Sequence, residues 1–232
     1  MILRRSSSRG SDYSKKIDPV TIHVAYEGKV DEMEYFDGLS SLLSKRYRKI
    51  IRFIAVPKSS TKSTPEQVKD DLVSHLNQNK INLNKTTSHL GFIVIDKDHF
   101  FSKSHSKSTW DVIRDCKKKG IVVLCSNPCF EVWLLCHYLD FTTKDHKYIQ
   151  KALSNKRSTK NSKTFLKTEF SKYRRGEEIS SVLTNILTAY DNENKLKMLS
   201  RDPDKLPPDD LMSNVGQIVK VLLDSGIPFN KN

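Results

Sequence analysis

The sequence predicts an α/β protein: a mostly parallel sheet flanked by helices, with a helical, basic C-terminal extension. Three observations carry this. Over the first 140 residues, short β-rich runs alternate with segments of helical apolar spacing. Two of the runs, Leu90–Ile95 and Ile121–Cys125, are continuously apolar, as strands buried on both faces are. The connections between runs are long enough for crossover helices, and such alternation implies parallel pairing.

The elements follow in order. Residues 1–18 read as a polar, basic arm. Residues 21–25 form a short β-rich run that ends in Glu27-Gly28. From Asp31 to Lys45, Met33, Phe36, Leu39, Leu42 and Leu43 recur at helical spacing, and Asp31 and Glu32 suit the positive end of that helix. Ile50 to Val56 is a second strand, closed by Pro57 and a polar loop. Thr64-Pro65-Glu66-Gln67 is a capping signature, with Thr at the N-cap and Pro at the first helical position. The helix it opens carries Val68, Leu72, Val73 and Leu76. The run 90–95 ends in Asp96-Lys97-Asp98. Thr109 to Lys119 reads as a helix stopped by Gly120, and Ser126-Asn127-Pro128 turns the chain after the next strand into another helix. Phe130 and Trp133 in that helix belong to the core. Beyond it, Ile179–Leu199 has helical periodicity, 202–210 is a Pro-containing break, and Leu211–Leu223 reads as the last helix. The expected organisation is an arm (1–18), an α/β domain (19–140) and a helical basic region (141–232).

Composition narrows the function classes. The net charge is +13. Residues 1–16 hold five Lys/Arg against Asp12, and residues 144–175 hold eleven against Asp145 and Glu169, which accounts for the whole excess. Clustered cations gain affinity for polyanions by releasing counterions, so nucleic acid is the natural partner. A solvated tail and loop is the bland alternative. No apolar run approaches the roughly 20 residues needed to span a bilayer, and the basic N-terminus lacks the apolar stretch of a secretory signal. A cytoplasmic protein is expected. Cys116, Cys125, Cys129 and Cys136 form no CxxC pair, so zinc is disfavoured and they read as small hydrophobes.

Three carboxylates fall at the C-terminal ends of expected parallel strands. Glu27 ends the first, and Asp96 and Asp98 end the third. Open α/β sheets bind ligands at that edge. Strand alternation aims both acids of an Asp-x-Asp the same way. Hard oxygen ligands gathered at one point suit Mg²⁺ (or Mn²⁺), which uses few protein carboxylates and completes its shell with water and phosphate oxygens. Either half of the pattern alone is weak, since most Asp-x-Asp pairs are solvated loop residues and Gly28 can serve a turn only.

Taken together, Tyr26-Glu27-Gly28-Lys29-Val30-Asp31-Glu32 and Val94-Ile95-Asp96-Lys97-Asp98 resemble the TOPRIM pattern, a Glu after the first strand and a DxD after a later one. More narrowly, the chain resembles the RloB family. The matching features are Arg4, Arg5 and Arg9 in the arm, Glu27-Gly28 with Asp31-Glu32 and Tyr35-Phe36, the strand ending in Asp96-Lys97-Asp98-His99-Phe100, and the block Ser126 to His137. The resemblance implies a TOPRIM-like fold and an association with prokaryotic phage defence, often beside an ATPase gene. Asp31-Glu32 replaces a commoner Thr-Glu, and Asn214-Val215 stands where relatives often carry Asn-Pro. Neither departure touches Glu27, Asp96 or Asp98.

Roles follow. Glu27, Asp96 and Asp98 are the expected catalytic and metal-binding residues, with Glu27 either a ligand or a general acid/base. Asp31, Glu32 and Glu131 are candidates for a second metal; helix-dipole stabilisation is their plainer role. His99 or His105 could serve as a base, though two-metal hydrolysis needs none. Lys97, Lys172, Arg174, Arg175, Arg4 and Arg5 are expected to contact nucleic acid, with Tyr47 and Tyr173 available for stacking. Two functions compete. One is a Mg²⁺-dependent endonuclease acting on DNA or RNA, an effector in antiviral defence with a partner ATPase. The other is a non-catalytic nucleic-acid sensor or regulatory subunit. A topoisomerase or primase would need modules for which the chain has neither room nor zinc spacing.

Overall fold

The computed structural model describes residues 19–97, 99–101, 106–157 and 162–229. Its sheet has four strands: β1 (Val20–Tyr26), β2 (Ile51–Ala55), β3 (His89–Asp96) and β4 (Ile121–Ser126). All pairs are parallel and the order is β2-β1-β3-β4. Helices α1 (Asp31–Tyr47), α2 (Pro65–Gln78) and α3 (Ser106–Lys118) make the crossovers. The chain winds one way from β1 to β2, then reverses across β1 to reach β3 and β4. Right-handed crossovers therefore put α1 on one face and α2 and α3 on the other.

Strand alternation sorts the core accordingly. Ile22, Val24, Phe92 and Val94 pack with Phe36 and Leu39 of α1 in one cluster. Ala25, Ile93 and Ile95 pack with Leu72 of α2 and Cys116 of α3 in the other. The expected cap of α2 forms: the Thr64 hydroxyl accepts from the Gln67 N–H at 3.2 Å, with Pro65 at the first helical position.

The remaining helices are α4 (Glu131–Cys136), α5 (His146–Ser154), α6 (Phe165–Arg174), α7 (Ile186–Met198) and α8 (Gly216–Asp224). They cover the α1 face, and Leu166, Ile186, Ile218 and Ile227 share the cluster of Ile22 and Trp133. The core therefore runs without a break across residue 140. Glu193, wholly buried in α7, accepts from the Gly216 N–H at 3.0 Å and pairs with Lys197, pinning α7 to the start of α8.

Two helix expectations are corrected. Residues 179–185 form a 3₁₀ segment, and the α-helix begins at Ile186. Residues 211–215 are not helical. Met212 makes an isolated antiparallel bridge with Asn127, and the Asn214 side chain accepts from the Cys125 N–H at 2.6 Å. Pairing with the end of β4 overrides local helical periodicity there. Three of the cysteines are buried and all four are free. Among the described residues no helix is long and apolar enough to cross a membrane.

Candidate functional site

The winding reverses between β1 and β3, so their carboxyl ends flank the place where connections diverge and a crevice opens. Glu27 directly follows β1 and Asp96 ends β3. The Glu27 N–H extends the ladder by bonding Val94 O at 3.1 Å. Its side chain then leans across the gap, where Oε2 accepts from the Asp96 N–H at 3.2 Å. Glu27 is buried, and Asp96 is half-buried. Asp98 lies outside the described residues.

Gly28 explains how a second carboxylate reaches this edge. A Cβ on Gly28 would fall 1.7 Å from Glu32 Oε2, so the Glu32 carboxylate fills the space that a side chain at 28 would take. Glu32 is only 8% exposed, and burial, aided by Glu131 and Asp31, raises its pKa to about 7. Burial raises Asp31 as well, against the pull of Lys167.

Glu131, the first residue of α4, is buried at the same edge. Lys167 of α6 lies 3.4 Å from Glu131 Oε1 and 4.0 Å from Asp31 Oδ2. Burial works against the Lys167 ammonium, but Glu131 and Asp31 outweigh it and hold its pKa above the ordinary lysine value. Burial pushes the neighbouring Cys129 thiol well up, with Glu131 and Asp96 adding to the effect, so this thiol stays protonated.

A second cation comes from the loop after β2. Lys58 Nζ donates to Glu27 O at 2.5 Å and to Ser63 Oγ at 3.2 Å. The loop is tied to α2 through Asp71, which accepts from Ser59 Oγ at 2.5 Å and from Gln67 Nε2 at 2.9 Å. Burial lowers the Lys58 pKa, and Glu27, Asp71 and Glu32 oppose that shift.

Glu27, Asp31, Glu32, Asp96 and Glu131 thus share one edge. They do not close into a tight cage: among the described residues, no three His, Cys, Asp or Glu side chains converge to enclose an ion. The donors at this edge are carboxylate oxygens, the chemistry that Mg²⁺ and Mn²⁺ select, so the residues present fit such an ion.

The other expected contacts are dispersed. Lys97 turns away from the acids, donating to Pro208 O at 2.6 Å, with Asp209 at 3.6 Å. Lys172 is paired with Glu169. Arg174 lies over the Phe170 ring at 5.7 Å and within electrostatic reach of Asp31, while Arg175 is exposed at the end of α6. Arg4, Arg5 and His105 lie outside the described residues, and His99 opens a short 3₁₀ turn. Sequence reasoning missed Lys58 and Lys167. Lys58 had a signal, since it follows a strand end as Glu27 does. Nothing local marked Lys167 among the eleven cations of its segment.

The sequence model of a protein family described as RloB-like protein matches residues 22–222. No curated protein and no solved structure matches the chain.

Proposed function

The chain belongs to the RloB-like protein family, and from that premise we propose that it is a divalent-metal-dependent nuclease that hydrolyses phosphodiester bonds of DNA or RNA at the carboxyl edge of its sheet. The observation that carries this reading is the Glu27–Asp96 pair, joined by a 3.2 Å hydrogen bond across the point where the winding reverses. Glu27, Asp96 and Asp98 would hold Mg²⁺ or Mn²⁺, which when bound supplies Lewis-acid stabilisation of charge on the phosphate.

The chain's own groups do the rest. Lys58 fixes the Glu27 backbone and places positive charge beside it. Lys167 screens Asp31 and Glu131, which would otherwise repel a phosphate. Burial raises the Glu32 pKa to about 7, and a divalent ion at this edge would favour its charged form. Lys172 and Arg174 lie on the same helix as Lys167, with Arg175 at its end, and would steady the polyanion. The family resemblance further supports a role as an antiviral effector beside a partner ATPase.

The test is incubation of the purified chain with DNA and with RNA, with Mg²⁺, with Mn²⁺ and with chelator. Metal-dependent cleavage of either polymer is the expected outcome. Tight binding with no cleavage, even with the partner ATPase supplied, replaces this reading with a sensor.

A further inference from the structure

The edge of the sheet opposite the acids is strongly cationic. Three segments form it: 45–52, from the last turn of α1 into β2; 79–88, between α2 and β3; and 117–120, from the end of α3 to β4. The first holds Lys45, Arg46, Arg48, Lys49 and Arg52, the second Lys80 and Lys85, the third Lys117, Lys118 and Lys119. None of the three contains an Asp or Glu. All of these cations are exposed. Lys119 pairs with Asp115 at 3.6 Å; the others make no ion pair with a described residue.

The segments make one surface. Ile50 O accepts from Val20 N–H at 3.1 Å, and Ser88 O from Thr21 N–H at 2.7 Å, so the first two segments flank the start of β1. Asn84 Nδ2 donates to Lys118 O at 2.9 Å, joining the second to the third. Across four strands in the order β2-β1-β3-β4 the surface spans about 14 Å, three inter-strand spacings.

Local electrostatics explains part of this. Cations favour the last turn of a helix, which accounts for Lys45, Arg46, Lys117 and Lys118. A charge on an edge strand discourages sheet-to-sheet pairing, which accounts for Arg52. Neither reason covers Arg48, Lys49 and Lys80, which lie beyond the last turns of α1 and α2, nor the lack of an Asp or Glu within the three segments; Lys85 ends a short 3₁₀ turn, Leu83–Lys85. Some exposed lysines elsewhere do have acidic neighbours, as in Lys195–Asp140, Lys205–Asp209 and Lys220–Asp224.

We infer that this amino edge is a docking surface for the phosphate backbone of a nucleic acid. It is distinct from the acidic edge, because β1, at seven residues, separates the two by about 23 Å. It cannot hold the phosphate under attack; it holds a flanking stretch of a long polyanion. The inference shares with the nuclease reading only the identity of the polymer, and binding in chelator separates the two. A chain that docks here and cuts nothing keeps this inference and loses that reading.

The experiment measures binding of the full chain to a 30-base-pair DNA duplex and to the same sequence as duplex RNA, in chelator, over a range of salt. The variants are Arg48→Ala with Lys49→Ala, Lys80→Ala with Lys85→Ala, and all four together. Each lost phosphate contact lowers the slope of log affinity against log salt by about 0.9 on B-DNA. The quadruple variant is expected to lose about tenfold or more in affinity near 0.1 M salt and to show a shallower slope. Arg48→Lys with Lys49→Arg is expected to bind as wild type does, since phosphate attraction follows charge. Wild-type affinity and slope on both duplexes in every alanine variant would overturn the inference. So would a loss confined to phosphatidylserine vesicles, which would make the edge a membrane surface.

Discussion

The Glu27 carboxylate accepts a hydrogen bond from the Asp96 N–H at 3.2 Å, so the acid after β1 is braced by the end of the neighbouring strand β3. The two residues are 69 positions apart in the chain. Parallel pairing of Tyr26 with Val94 brings them within reach.

Glu27→Gln keeps the size and the accepting oxygen but removes the charge. Cleavage is expected to fall to the level of the metal-free control. Stability should change by no more than about 1 kcal/mol, the scale of one hydrogen bond. Affinity for nucleic acid in chelator should be unchanged or tighter, because one repulsive charge is gone. Retained metal-dependent cleavage would remove Glu27 from the site.

Gly28→Ala drives a methyl into the Glu32 carboxylate, 1.7 Å from Oε2. The cost should be about 1–3 kcal/mol, as for other overpacked buried positions. In a Glu32→Ala background the clash partner is absent and the same substitution should cost clearly less. A double-mutant cycle by chemical denaturation reads the coupling; additive costs would mean that Gly28 is required for another reason.

The Glu32 pKa is raised from 4.5 to about 7, so the folded chain keeps this proton where the unfolded chain releases it. The associated stability is fully present below pH 4.5 and is lost as pH rises towards 7, on the order of 3 kcal/mol. Glu32→Gln should abolish this decline. Divalent metal favours the ionised carboxylate, so Mg²⁺ should raise Tm more at pH 8 than at pH 6 in the wild type. An equal rise at both would detach Glu32 from the metal.

His23, buried within β1, bonds His75 Nε2 through Nδ1 and His89 Nδ1 through Nε2, each at 3.0 Å. Burial, with the neighbouring His75 and His89, lowers its pKa to about 4, and burial brings the fully enclosed His137 to about 4 as well. In the unfolded chain both would titrate near 6.5. Their stability contribution is present above that pH and is lost as pH falls towards 4, opposite in sense to Glu32. A His23→Asn/His137→Asn variant, whatever its absolute stability, should show a smaller fall in denaturation midpoint between pH 6.5 and 4.5. A fall as steep as the wild type's would place the acid sensitivity elsewhere.

The alternation of runs was enough to establish a parallel α/β sheet and to place Glu27 and Asp96 at its carboxyl ends. Period-two strands and βαβ winding carry every post-strand loop to that one edge. The cap at Thr64 was legible because capping acts over three residues. Residues 211–215 were misread because their partners, Asn127 and Cys125, are remote in sequence.

What the tertiary structure alone decided is which charges meet. The order β2-β1-β3-β4 sets Glu27 against Asp96, and the packing of α6 brings Lys167 to Asp31 and Glu131. Along the chain the charge outside residues 1–16 and 144–175 is balanced. In space, five carboxylates gather at the carboxyl edge with Lys58 and Lys167 beside them, while ten exposed cations line the amino edge. The reason is that Coulomb energy and desolvation depend on distance and burial, and neither is encoded in sequence separation.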